Sequence, residues 1–115
     1  MLERSFAADV RWTAKLYLAD PEGASDVTSV NSLTSAQQDV RFMGRTLLAD
    51  LSDCPAGDAV SKVPHPRNPL IGNIEGLAIT EARGKRLRVL MVTDDDESST
   101  SITRLMAMDV RLPCR

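Results

Sequence analysis

The sequence predicts an all-β fold built from short antiparallel strands. Apolar and polar residues alternate with a period of two in six segments, and turn residues separate these segments. Valine, isoleucine and threonine are frequent within them, which is typical of strands. With 115 residues, the chain can form at most one small domain with a limited core.

The N-terminal half contains three predicted strands joined by longer connections. They span residues 2–6, 13–20 and 44–51. In the second, Ala14, Leu16 and Leu18 occupy one face and alternate with residues on the other. Residues 20–27 carry proline and glycine and are predicted to be a loop. Residues 32–43 are ambiguous, and a short helical turn is one possibility there.

The C-terminal half is predicted to be a three-stranded antiparallel meander. Its strands span residues 74–80, 86–94 and 103–112. The segment EARGKR, residues 81–86, is predicted to be a tight turn in which Gly84 takes a positive φ, so that residues 74–94 form a hairpin. Residues 52–72 are rich in proline and are predicted to be a loop.

Composition and charge exclude several classes of partner and location. The formal net charge is −2 with no evident basic cluster, and aromatic residues make up 3% of the chain, so we expect neither a nucleic acid nor a membrane surface as a partner. No apolar run approaches the roughly 20 residues of a membrane-spanning helix. The residues after Met1 lack the apolar core of a signal peptide, so taken literally the chain is not exported.

A weak internal echo indicates a β-propeller. Each half contains two strands joined by a short turn and followed by further alternation, at a spacing typical of propeller blades. The chain is long enough for only about two blades, whereas such rings typically hold about four to eight. The echo alone therefore suggests propeller blades without establishing a closed ring.

Several segments resemble the C-terminal part of the phytase-like family, which is also described as having esterase-like activity of phytase. The segments are LERSF, AKLYLADPEGASDVTSVNSL, RTLLADL, NPLIGNIEGLAI, GKRLRVLMVTDDDES and ITRLMAMDV. They follow the family's order and spacing and cover almost the whole chain. The resemblance implies a propeller hydrolase acting on phosphate esters, usually secreted or periplasmic and several times longer than this chain.

The resemblance also implies the fold and organisation of the chain, an antiparallel β-propeller fragment of about two incomplete blades. Residues 1–115 would be a single partial phytase-like domain. Residues 1–51 would supply the outer strands of one blade, residues 52–72 a proline-rich loop, and residues 73–112 the inner strands of the last blade. Open strand edges would remain, so the missing blades or further copies of the chain are expected partners, beside a small phosphorylated substrate.

Acidic residues are predicted to gather at one rim of the C-terminal hairpin. The acidic run 94–97 ends one strand, and Glu75 begins its antiparallel neighbour, so Glu75 and Asp94 should lie close together. Clustered carboxylates suit Ca²⁺, which takes about six to eight oxygen ligands. We predict Glu75, Asp94 and Asp95 as metal ligands and Glu75 also as a general acid or base. A hydrated acidic loop is the alternative.

Two further features of this region qualify the prediction. The family prefers asparagine and an aromatic residue where this chain has Asp96 and Glu97, so both acids are expected to face solvent. Arg104 is a candidate for binding a substrate phosphate through its guanidinium group. The alternative for Arg104 is an ion pair with a nearby acid on the strand surface.

The histidine, the serines and the cysteines give weaker evidence for a functional site. His65 is the only histidine and stands between two prolines, which excludes a histidine-rich metal site, and no Gly-x-Ser-x-Gly motif supports a serine esterase. Cys54 and Cys114 lie 60 positions apart, without the short spacing of a zinc or redox pair. If the protein is exported, they can form a disulfide worth about 4 kcal/mol; otherwise they are unrelated thiols.

Three functions follow. The first is a fragment of a phosphoric ester hydrolase in which calcium offsets substrate charge and activates water. The second is a non-catalytic propeller that serves as a binding or scaffold module. The third is a chain without activity of its own, because most of the ring is absent.

Overall fold

The computed structural model describes residues 1–7, 11–32, 40–60, 68–99 and 101–113. These residues form six β-strands and one short 3-10 helix, and they contain no α-helix. The strands are β1 (Leu2–Ala7), β2 (Arg11–Asp20), β3 (Gly44–Asp50), β4 (Asn73–Arg83), β5 (Arg86–Asp94) and β6 (Arg104–Arg111). The all-β prediction is confirmed, and each of the six predicted strands is present.

The strands form two antiparallel three-stranded sheets in chain order. The first sheet has the order β1-β2-β3 and the second the order β4-β5-β6, so the predicted C-terminal meander is confirmed. Within the described residues, each sheet has two edge strands that pair on one side only. Two small antiparallel sheets of this kind are consistent with partial propeller blades, and their placement in a propeller stays a prediction.

The hairpin between β4 and β5 is tighter than predicted. Residues 81–83 were expected in the turn but belong to β4, which leaves a turn of two residues, Gly84 and Lys85. Gly84 has φ +57 and occupies the first turn position. The two-residue turns that match the twist of antiparallel strands need a positive φ at this position, which glycine adopts without strain. Leu51, predicted as the end of a strand, instead begins the 3-10 helix Leu51–Asp53.

One apolar core joins the two sheets. Its buried members come from β2, the 3-10 helix and all three strands of the second sheet: Ala14, Leu16, Leu51, Ile74, Val89, Met91 and Val110. The period-two alternation explains this core, because alternate residues of a strand point to the same face. The sequence pattern of β2 therefore identified its buried face correctly.

Asn68 and Arg104 form hydrogen bonds that hold the chain segment connecting β3 to β4. The buried Asn68 side chain donates from Nδ2 to the carbonyl oxygens of Leu51 (3.1 Å) and Cys54 (2.8 Å), and its Oδ1 accepts from the Leu70 amide (2.9 Å). Arg104 donates from Nη2 to the Val60 carbonyl at 2.7 Å. These contacts hold the described residues 54–60 and 68–72, which belong to no strand or helix and whose main-chain groups need other partners.

Some sequence predictions fall outside the described residues. The helical turn proposed within 32–43 falls largely on residues 33–39, and His65 and Cys114 also lie outside. Among the residues that are described, no helix has the length and apolar character needed to cross a membrane.

Candidate functional site

Two β-bulges in β4 determine which residues meet at the acidic rim. If β4 and β5 paired without interruption from the Arg83–Arg86 pair at the turn, Glu75 would lie opposite Asp94. The register shifts once near Thr80 and again at Glu75, so the partner of Asp94 is Asn73. Bulges leave one residue unpaired and re-aim its side chain, and they are frequent beside active sites.

Asn73 is the residue at this rim that the sequence analysis did not select. Its side chain is buried, with 3% of the residue exposed, and Nδ2 donates to Asp96 Oδ2 at 2.7 Å. The Asn73 Oδ1 is buried and has no hydrogen-bond partner. Buried polar atoms without a partner are costly, and a bound ion or a water molecule is one explanation for such an atom. The sequence contains one indication that Asn73 belongs to the site, because this residue lies two positions before Glu75 in the segment NIEG.

The acidic run folds into a compact turn that its own carboxylates stabilise. Asp95 Oδ1 accepts from the Glu97 amide at 3.1 Å, and the Asp95 carbonyl accepts from the Ser98 amide at 2.7 Å. Asp96 and Glu97 have φ values of 50° and 55°, a conformation that few residues other than glycine adopt. Both are exposed, as predicted, although one oxygen of Asp96 is bound by Asn73. These hydrogen bonds to backbone amides stabilise the turn, and whether a metal ion or water offsets the repulsion between the acids stays a prediction.

Glu75 is the unpaired residue of its bulge and bridges the two sheets. Its Oε1 lies 3.0 Å from Nη2 of Arg4 in β1, and the Arg4 guanidinium lies 5.6 Å from the centre of the Trp12 ring. Both partners of the ion pair are partly exposed, with 39% and 45% of their side chains accessible. An exposed pair of this kind typically contributes about 0–1 kcal/mol, so Glu75 can exchange this partner at little cost.

The predicted metal ligands do not form a ready-made cluster. Among the described residues, no group of three or more histidine, cysteine, aspartate or glutamate side chains is placed to hold a metal ion. Asp94, Asp95 and Asp96 nevertheless share the rim with Asn73. The assignment of Glu75, Asp94 and Asp95 as ligands therefore stays a prediction.

Arg104 contacts main-chain carbonyl groups. Its guanidinium donates to the carbonyl oxygens of Pro69 and Val60, and its own amide donates to Thr93 Oγ1 at 2.8 Å. These contacts give Arg104 a clear role in holding the loop between the sheets. Binding of a substrate phosphate by Arg104 stays a prediction.

Cys54 is a free thiol at the start of that loop. Its Sγ lies 3.9 Å from the Asp50 carbonyl oxygen. Partial burial raises the pKa of the thiol, and the charges of Asp53 and Asp50 raise it further. Because Cys114 lies outside the described residues, the pairing of Cys54 with Cys114 stays a prediction.

In the reduced protein, we expect Cys54 to alkylate slowly at neutral pH. A raised thiol pKa leaves little of the reactive thiolate. The rate of iodoacetamide modification, followed by mass spectrometry in a Cys114→Ser background, should rise with pH and reach half its maximum above the ordinary thiol value of 9.0. A midpoint below that value would contradict the expected effect of burial and the two acids.

Comparison with known protein families identifies a relationship over most of the chain. A family model described as "Phytase-like: Esterase-like activity of phytase" matches residues 1–97. No curated protein and no solved structure matches the chain. The matched residues include the first five strands, Glu75, Asn73 and the acidic run, and they end before β6 and Arg104.

Proposed function

The chain belongs to the phytase-like family, and from this premise we propose that it contributes to a phosphoric ester hydrolase whose substrate is a small phosphorylated compound. Membership relates the chain to hydrolases with esterase-like activity of phytase. We also propose the secreted or periplasmic location that the family resemblance implies.

The pairing of Asn73 with Asp94 is the observation that carries the proposal. It places an amide oxygen without a partner beside an acidic run, and the amide also binds Asp96. Carboxylate and amide oxygens are the ligands that calcium takes, so the chemistry of the donors fits this ion. Asp94 and Asp95 would hold it with Asn73. When bound, calcium would offset the negative charge of the substrate and activate water.

Glu75 is the proposed general acid or base. It is exposed, it projects from a bulge two residues beyond Asn73, and among the described residues its ion-pair partner is the partly exposed Arg4. A carboxylate that can change partners cheaply is suited to accept or donate a proton at an adjoining site. Arg104 would contact the substrate only after releasing the two carbonyl oxygens that it now binds.

We propose that the chain alone is inactive. Asn73, Asp94 and Asp95 supply fewer than the roughly six oxygens that calcium needs, so other parts of a complete ring would provide the remainder. The sheets, each with two edge strands open within the described residues, leave room for those parts. The partners expected are further blades or other copies of the chain, joined through the open edges.

The alternative function is a non-catalytic binding or scaffold module. It is favoured by the ion pair that occupies Glu75 and by the lack of a three-ligand cluster among the described residues. In such a module, the acidic turn would serve only to shape the loop. Hydrolysis by a longer protein containing this chain distinguishes the two functions.

The test combines calcium titration with hydrolysis. Calcium would be titrated calorimetrically into the chain and into a longer family protein that contains it, and p-nitrophenyl phosphate hydrolysis would be measured with and without calcium. We expect Asp94→Asn to weaken calcium binding by the longer protein at least tenfold and to abolish calcium-dependent hydrolysis. Asp58→Asn, at an exposed loop acid, is the control and should change neither.

Equal calcium affinity in the Asp94→Asn and Asp58→Asn variants would rule out the proposed ligand. Calcium binding without hydrolysis of any phosphate ester would support the scaffold function instead. Efficient hydrolysis by the chain alone would show that it needs no further strands.

A further inference from the structure

Three arginines lie side by side across the second sheet at its hairpin end. Arg83 in β4 pairs with Arg86 in β5, and Arg86 pairs with Arg111 in β6. Directly paired residues of antiparallel strands point to the same face, so the three side chains form one row, here named the arginine row. The row is on the face opposite the core, because Leu87 and Val110, the next pair along, point inward.

A second row beside it has alternating charge. Arg88 pairs with Glu81 on one side and with Asp109 on the other, two residues along each strand from the arginine row. Asp109 accepts two hydrogen bonds from Arg88, at 2.9 and 3.1 Å. The hydrogen bond from Arg88 lowers the pKa of Asp109, so the stability from this pair is present above the ordinary value of 3.8 and is lost as pH falls through the lowered pKa.

The acids of the second row neutralise the arginine row only in part. Glu81 binds Arg83 at 2.8 Å, and Asp109 reaches Arg86 only at 3.6 Å because Arg88 already holds it. Four arginines therefore face two carboxylates on a chain whose net charge is −2. Like charges directly opposite one another on a sheet are destabilising. A bound anion would relieve this repulsion.

A groove also lies beside Arg83 and Arg86 of the row, and Arg111 is not among the residues that line it. It has a volume of about 220 Å³ and is lined by Glu81, Arg83, Arg86, Leu87, Arg88 and Asp109. The guanidinium groups of Arg83 and Arg86 are largely open to solvent, with 81% and 73% of the side chains exposed. An incoming anion can therefore reach them without displacing any part of the fold.

We propose that the arginine row is a binding site for a small compound that carries more than one phosphate group. Guanidinium groups present several N–H donors in a plane that matches phosphate oxygens, often in pairs. Neighbouring strands are about 4.8 Å apart, so the row spans about 10 Å. One phosphate can contact two neighbouring arginines, whereas a compound with several phosphates can contact all three.

This site is separate from the acidic rim. Arg86 begins β5 and Asp94 ends it, so the two sites are about 27 Å apart along the strand. The arginine row is therefore an additional anion site and does not depend on the proposed hydrolase function. No basic cluster is visible in the sequence, because these arginines are spread over residues 83–111 and only the strand register brings them together.

The test is a titration of the chain with sodium tripolyphosphate at a fixed ionic strength of about 0.15 M, where long-range attraction is screened. We expect saturable binding, with the largest amide chemical-shift changes in NMR spectra at Arg83, Arg86 and Arg111. The double variant Arg86→Gln/Arg111→Gln should bind at least tenfold more weakly. The exposed Arg41→Gln variant, which removes charge elsewhere, should bind within twofold of the unaltered chain.

Other outcomes would overturn the proposal. No saturable binding would do so, as would shift changes centred on the acidic rim, or equal weakening in the Arg41 control. Vesicles of phosphatidylcholine with phosphatidic acid form a second arm. Binding to these vesicles without binding to tripolyphosphate would assign the site to a lipid headgroup and contradict the small-compound assignment.

Discussion

Replacing Asn68 with alanine is expected to lower the free energy of unfolding by roughly 2–4 kcal/mol. The residue is 5% exposed, and its Nδ2 donates to the carbonyl oxygens of Leu51 and Cys54 while Oδ1 accepts from the Leu70 amide. Alanine would take away the side-chain hydrogen bonds of the partly buried Cys54 carbonyl and Leu70 amide, whereas the Leu51 carbonyl would keep the Cys54 amide at 3.2 Å. Each such group costs about 1–3 kcal/mol, which the partial entry of water reduces.

Chemical denaturation followed by circular dichroism measures this effect. Asn31→Ala is the matched control, because Asn31 is exposed and should change the free energy of unfolding by no more than about 0.5 kcal/mol. Asn68→Asp keeps an acceptor but removes both donors, so it should be at least as destabilising as alanine. If Asn68→Ala and Asn31→Ala were equally stable, Asn68 would not be what holds the connection.

Gly76→Ala is the second large expected effect, at about 1–3 kcal/mol of lost stability. A Cβ atom at Gly76 would lie 2.8 Å from Cγ1 of Val92 on the neighbouring strand, which is too close for two carbon atoms. Valine is stiff about its first side-chain torsion, so the methyl group cannot simply rotate away. The main chain must then shift beside the bulge at Glu75.

A double-mutant cycle identifies the clash as the cause. Val92→Ala removes the methyl group and should restore most of the stability lost in Gly76→Ala, with a coupling energy of about 0.5–3 kcal/mol. Gly44→Ala is the control, since a Cβ there would lie 3.7 Å from its nearest neighbour, an ordinary contact. Strict additivity of the Gly76 and Val92 changes would show that the clash is not the source.

The fold was largely predictable because it depends on a local pattern. Alternation in β2 placed Ala14 and Leu16 on one face, and both are buried in the core that joins the sheets. The turn at Gly84 was located correctly, although its extent was overestimated, since strand residues at an exposed hairpin end carry no apolar signal. The packing of one sheet against the other and the hydrogen bonds of Asn68 could not be predicted from the periodicity, because both depend on contacts between residues that are distant in sequence.

The candidate site was only partly predictable, because its composition depends on register. The acidic run and Glu75 were recognised from their position at strand ends, but Asn73 was not matched with Asp94. Nothing in the apolar pattern of β4 indicates where an extra residue interrupts the ladder. The arginine row could not be predicted for the same reason, because its three residues become neighbours only through the register of three strands.

The two bulges also bear on how this chain should be aligned with its relatives. Glu75 and Thr80 are the residues that the ladder skips, and every other residue of β4 has a partner in β5. A homologue lacking one residue at either point can keep all the remaining pairs, so a gap there implies no change of fold. Loss of a paired residue such as Leu77 would instead shift the register of the preceding residues by one, so that their side chains would point to the opposite face of the sheet. Only the simultaneous loss of a bulge would restore the original register. Alignment gaps in this strand therefore belong at Glu75 or Thr80.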